Sequence, residues 1–152
     1  KKHGEERYST RLQQLYDIMV WLAICVALPT TLLSEWVITF LYGPDFSQAG
    51  IVLAVHIWAG VFVFLGVAGG NWLLAENLQL VGLVPAGLGA IINIFLNYIF
   101  IPRWGICGSA IATLISHMIA AYLGYGLIKK TYKNFQLQTR AFFWPYRLIK
   151  KL

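Results

Sequence analysis

Charge is what this chain has least of, and the place it is missing from matters more than the total. Lys and Arg number 12 and Asp and Glu 6 in 152 residues, so 12% of the sequence is charged. A soluble domain carries roughly a quarter. Between Arg11 and Lys129 the only basic residue is Arg103. Catalytic signatures are missing as well: there is no HExxH, no Gly-rich phosphate loop and no paired-Asp motif. Of the three histidines, His3, His56 and His117, the two within the apolar stretches, His56 and His117, have no acidic partner at helical spacing. Without a nucleophile, an acid–base pair or a ligand cluster, no catalytic residue, metal site or cofactor is expected, and the chain reads as a non-enzyme.

Long apolar runs fill the space that charge vacates. Hydrophobic residues make up 59% of the chain. They gather in four stretches, 18–41, 50–75, 78–101 and 106–128, parted by short polar breaks. About 20 mostly apolar residues suffice to cross the hydrocarbon core as a helix. A water-soluble fold of this size could not hide four helices that are apolar all round. The expected fold class is therefore all-α integral membrane, with four transmembrane helices.

The positive charge sits at the two ends. Lys1, Lys2, Arg7 and Arg11 precede the first stretch; Lys129, Lys130, Lys133, Arg140, Arg147, Lys150 and Lys151 follow the last. Cytoplasmic flanks are enriched in Lys and Arg, so both termini are expected in the cytoplasm and the number of crossings even. The breaks at 40–49 and 102–105 then face outward and the one at 76–77 inward. Residues 1–17 form a helical lead-in, since Leu12, Leu15, Tyr16 and Met19 follow helical spacing into the first stretch. Residues 129–152 interleave Phe142, Phe143, Trp144 and Tyr146 with basic residues, a mixture that favours the headgroup layer over nucleic acid. The acidic pair Glu5–Glu6 and the lack of a small-residue cleavage site argue against a signal peptide. The chain reads as the C-terminal part of a longer membrane protein.

Within the stretches, Pro29 interrupts the first and Glu35 lies near its end, where a carboxylate more often meets water than lines a cavity. Residues 42–46 form a Gly-Pro turn, with Asp45 as a possible cap for the next helix. Cys25 and Cys107 fall at different depths, which excludes a disulfide and leaves them as buried apolar fillers. Gly60, Gly66, Gly69 and Gly70 interrupt the second stretch, and Gly82, Ala86 and Ala90 form a small-residue row in the third. Gly108, Ala112, Ser116, Ala120 and Gly124 recur every fourth residue in the fourth, the small-xxx-small pattern by which helices pack in lipid. Asn93 and Asn97, four apart, share one helix face. Polar side chains in lipid are costly unless they face a bundle interior or a wet cavity. Asn93, Asn97, His56, His117, Thr113 and Asn71 are accordingly the candidate cavity-lining residues, with Ser116 serving either the cavity or the packing row.

Two segments carry a family resemblance. One is Leu41-Tyr42-Gly43-Pro44-Asp45-Phe46 followed by Ala49. The other runs from Asn93-Ile94-Phe95-Leu96-Asn97 through Ile101-Pro102-Arg103-Trp104-Gly105 to Gly108-Ser109-Ala110-Ile111-Ala112-Thr113. Both resemble the C-terminal domain of polysaccharide-biosynthesis membrane proteins, the O-antigen and exopolysaccharide flippases of the multidrug/oligosaccharidyl-lipid/polysaccharide exporter superfamily. The resemblance covers residues 16–130 and leaves the tail unassigned. It implies a partial bundle of a larger flippase of about 12 to 14 helices in two pseudo-related halves. It further implies alternating access, in a bacterial inner membrane, by which a polyprenyl-diphosphate-linked oligosaccharide (an O-antigen or lipopolysaccharide repeat unit) crosses the bilayer. Such a substrate is anionic, yet no stretch here holds Lys or Arg, so the cation that pairs with it is expected on missing N-terminal helices. A multidrug or cation exporter of the same superfamily is the alternative, and a membrane-embedded glycosyl- or acyltransferase segment a further one.

Overall fold

The computed structural model of the protein describes residues 2–150; Lys1, Lys151 and Leu152, two of them counted above among the basic flanks, lie outside the described residues. Helices are α1 (Lys2–Tyr42), α2 (Ala49–His56), α3 (Ala59–Ala75), α4 (Gln79–Met118), α5 (Gly124–Leu127), α6 (Tyr132–Phe142) and α7 (Trp144–Ile149), with a π-helical turn at Ile119–Leu123. Among the described residues there is no strand.

Three helical runs are long and apolar enough to cross a membrane: Glu6–Tyr42, Ala49–Ala75 and Gln79–Leu127. The third holds 49 residues. Straight, it would measure about 74 Å at 1.5 Å per residue, more than twice a hydrocarbon core of about 30 Å. It does not run straight. Gly105 adopts φ 55° and ψ −135°, a backbone that L side chains rarely take, and the chain turns back there. Phe100 meets Gly108, Gly89 meets Ala120 and Pro85 meets Gly124, pairs that close symmetrically on the turn. The run is thus an antiparallel hairpin with arms at 79–104 and 106–127.

The other connections are equally short. Gly43, at φ 93°, ends α1, and its N–H bonds the Thr39 carbonyl at 2.9 Å. Pro44–Phe46 then forms a 3₁₀ turn without a side-chain cap, and α2 also begins uncapped, so Asp45 does not play the capping role the sequence offered it. At the opposite end Asn77 takes the left-handed conformation (φ 55°) that asparagine tolerates better than most residues. Its N–H bonds Leu74 O at 3.2 Å and that of Leu78 bonds Leu73 O at 2.8 Å, the paired bonds of a Schellman helix end.

The helices and their burial add detail to the sequence expectation and in one place overturn it. The helical lead-in continues without a break into the first stretch, as Lys2–Tyr42 is one 41-residue helix that passes through Pro29. The 50–75 stretch bends at Ile57–Trp58, where the indole N–H of Trp58 reaches the Thr31 hydroxyl at 3.1 Å and ties the bend to α1. Of the small-residue row on the first hairpin arm, Gly82 packs against Leu73 of α3, where a Cβ would lie 2.5 Å from Cδ1, while Ala86 and Ala90 are exposed; Pro85 and Gly89 are the residues buried there. Cys25 is exposed and Cys107 half-buried, so neither is a core filler.

Burial is distributed as a bilayer demands. Leu32, Leu80 and Tyr98 are 85%, 81% and 82% exposed, a cost to which only an apolar surrounding is indifferent. The buried cluster lies at one end of the bundle: Tyr16 and Val20 of α1, Leu65, Ala68 and Trp72 of α3, Tyr125 of α5, and Leu137 and Ala141 of α6. The lead-in and the tail therefore share one end of the molecule.

Candidate functional site: bundle interior and polar base

Polar groups come together in two places, on the first hairpin arm and at the base of the bundle. On the first arm, Asn97 Nδ2 donates to the Asn93 carbonyl at 2.9 Å and to Asn93 Oδ1 at 3.0 Å. The two asparagines thus act as one unit, and Asn97 Oδ1 is buried without a partner. Asn97 also borders an open groove of about 930 Å³ that it shares with Tyr98 and Arg103. His56, exposed at the end of α2, lies close enough to His117 to interact with it electrostatically. Thr113 is half-buried and Asn71 is exposed on the outer surface of α3. These six candidates are therefore spread over the pair Asn93–Asn97, the pair His56–His117, and two separate positions.

Of the small residues, Gly108, Ser116, Ala120 and Gly124 meet the first arm, and Ala112 is fully buried. Ser116 turns its hydroxyl onto the Ala112 carbonyl at 2.5 Å, so it is satisfied within its own helix. A Cβ on Gly89 would lie 2.6 Å from the Ala120 methyl and 2.9 Å from Ser116 O. This seam is made by close approach, without a hydrogen bond between side chains.

The second place is the base, and sequence reasoning did not foresee it. The tail, expected along the membrane surface, buries a polar face of α6 in the bundle: Thr131, Asn134 and Gln138 are all fully buried. The Tyr16 hydroxyl donates to Asn134 Oδ1. Gln138 Nε2 donates to Ala121 O at 3.0 Å, and the Thr131 hydroxyl to Tyr125 O at 2.9 Å. Gly69 makes room for this face, since a Cβ there would stand 3.2 Å from both Asn134 Nδ2 and Gln138 Nε2. Asn134 Nδ2, Gln138 Oε1 and the Trp72 indole N–H, all within this end, have no protein partner. The one sequence signal was the spacing of Thr131, Asn134 and Gln138 along one face of a helix otherwise read for its aromatic and basic residues.

Beside the base, α1 and α6–α7 border a half-open cavity of about 820 Å³. Arg140, Arg147 and Lys150 line it, against one carboxylate, Asp17. Arg147 Nη2 contacts Asp17 Oδ1 at 2.5 Å, and Gln13 Nε2 donates to the same oxygen at 2.9 Å and to Leu137 O at 3.0 Å. At the far end a smaller cavity of about 550 Å³ is lined by Thr31, Ser34, Glu35, Gln48 and Trp58 among others. Among the described residues no three His, Cys, Asp or Glu side chains gather as a metal ion would require.

Comparison with known proteins yields a distant likeness. No family model matches the chain, and no solved structure matches it. The chain is 19% identical over 120 residues to the capsular polysaccharide biosynthesis protein CapF of Staphylococcus aureus, which covers 79% of this chain. The chain spans only 30% of that protein's length. A distant relation to polysaccharide biosynthesis is what this supports.

Proposed function

We propose that the chain is the C-terminal segment of a membrane flippase that moves lipid-linked oligosaccharide across the bilayer by alternating access. The observation that carries the reading is the distant likeness to a capsular polysaccharide biosynthesis protein over 79% of the chain. Three apolar helical runs long enough to cross a membrane support it; in this reading α1, α2–α3 and the two arms of α4 make four antiparallel crossings. Their outsides are apolar, and the Asn93–Asn97 unit lies on the first arm.

The physical logic is one of solvation. Each unpaired polar group of a sugar costs several kcal/mol in hydrocarbon, so the headgroup needs a polar passage while the lipid tail remains in the membrane. Short interruptions such as Ile57–Trp58 and Gly105 supply points at which such helices change direction. The chain performs no covalent chemistry in this reading. Its partners are the bilayer, a polyprenyl-diphosphate-linked oligosaccharide and the further helices of a parent protein in a bacterial inner membrane, with both ends cytoplasmic.

The test replaces Asn93 and Asn97 together by Leu in the parent protein. Lost surface polysaccharide at unchanged protein level is expected; normal polymer display contradicts the reading. Purified 1–152 in liposomes should flip nothing by itself. An ion-coupled exporter draws on Glu35 in the far-end cavity, and Glu35→Gln with unimpaired export would remove that alternative.

A further inference from the structure

The cavity between the lead-in and the tail has a composition that neither the polysaccharide likeness nor helix packing accounts for. Arg140 and Lys150 are exposed at its wall, and Arg147 is half-buried against Asp17. Three cations face one carboxylate, leaving two positive charges in excess. Arg147 keeps Nε buried with no protein partner, and Gln13 Oε1 is likewise unpartnered. The Ser9 hydroxyl also lines the wall, while that of Thr10 donates to the Glu6 carbonyl at 2.9 Å within its own helix. At about 820 Å³ the space exceeds what a single ion needs and is in the range of small-molecule sites.

Its depth is set by tryptophan. Trp144 lines the cavity and Trp21 stands beside it, ring centroids 6.3 Å apart, with the Trp21 indole N–H anchored on Ala141 O at 3.1 Å. Indoles favour the headgroup level, between water and hydrocarbon. Immediately beyond them Ile18 and Leu22 are exposed at 62% and 51%, as acyl-chain contacts would be. The cavity thus opens where phosphates of a bilayer lie, beside a surface fit for lipid tails.

We propose that the cavity framed by Arg140, Arg147 and Lys150 is a binding site for the phosphorylated headgroup of a membrane lipid on the side of both chain ends. Arg140 and Lys150 approach the phosphate oxygens, and the Arg147 fork, held by Asp17, presents its remaining N–H groups to the same anion. Leu148 and Trp144 line the cavity toward the glycerol and the first methylenes. Asp17 sets the affinity from below, because its charge opposes the headgroup while orienting Arg147. This site requires the membrane placement of the chain but not the transport reading, so either can fail without the other.

Native mass spectrometry of the whole chain in neutral detergent tests it, with phosphatidylglycerol, phosphatidylcholine and inorganic phosphate as separate probes. One phosphatidylglycerol should bind in preference to phosphatidylcholine, and affinity should fall as salt rises. Arg140→Gln and Lys150→Gln should each weaken binding about fivefold, from about 1 kcal/mol per basic residue at a membrane surface. Arg140→Lys should retain most of it. Asp17→Asn should tighten binding, an effect that misfolding cannot imitate. Equal binding of phosphatidylcholine, or an unchanged affinity in the Arg140→Gln/Lys150→Gln double variant, overturns the site. Inorganic phosphate binding as tightly as the lipid would make it a soluble-anion site and overturn the lipid assignment.

Discussion

The α4 hairpin and the base of the bundle solve one problem in opposite ways. In lipid, no hydrophobic drive holds helices together, because the tails are as apolar as leucine. Along the hairpin, Pro85, Gly89, Gly108, Ala120 and Gly124 let two backbones come close, and the attraction is dispersion summed over a tight contact. At the base, Asn134, Gln138 and Thr131 of the tail reach Tyr16, Ala121 and Tyr125, and the attraction is hydrogen bonding in a low dielectric. The first is intolerant of volume; the second is intolerant of lost partners.

Substitutions can separate the two. The largest effect is expected at the seam: Gly89→Leu places atoms where a Cβ alone already lies 2.6 Å from Ala120 Cβ and 2.9 Å from backbone. Overpacking of this kind costs about 3 kcal/mol or more when backbone must move, and should appear as lost folded yield and a lower melting temperature in detergent. Next comes Asn134→Leu, which strands the buried Tyr16 hydroxyl; about 1–3 kcal/mol is expected, read by the same melt. The double variant Tyr16→Phe/Asn134→Leu should recover part of that loss, since the hydroxyl that Asn134 accepted from is then gone. Asp17→Asn should cost less, about 1 kcal/mol, because Arg147 is about one-third exposed and water screens the pair. Arg103→Gln should change stability least, within about 0.5 kcal/mol, since Arg103 is exposed and bonds only its own helix at Ile99 O among its hydrogen bonds. A Gly89→Leu variant as stable as the parent would show that close approach does not hold the hairpin.

Much of this fold is legible in the chain because local signals and lipid agree. Apolar length marked the runs, and Gly43, Asn77 and Gly105 stand where the chain must turn. The every-fourth row on the second arm was visible since it repeats over five residues. Its partner face was not legible: which face of the first arm turns to the second is decided by the neighbour, and Pro85 and Gly89 lie there. The base was illegible for a different reason. Asp17 and Arg147 are 130 residues apart, Tyr16 and Asn134 118, and nothing in either neighbourhood names the other. An aromatic, basic tail looks interfacial from its composition, while its buried Asn134 and Gln138 are told apart from surface amides only by the groove that Gly69 leaves open. The Asn93–Asn97 unit followed directly from spacing, whereas the nearness of His56 to His117 required tertiary packing.

The account stands on a chain that crosses the bilayer, folds back at Gly105 and brings its two ends to one side. Single cysteines at Ser9, Asp45, Trp104 and Gln136, in a background where Cys25 and Cys107 are replaced by Ala, test that directly with a membrane-impermeant thiol reagent in sealed vesicles. Positions 9 and 136 should label from one face and positions 45 and 104 from the other. Labelling of 9 and 136 from opposite faces, or of 104 from the same face as 9, would contradict it.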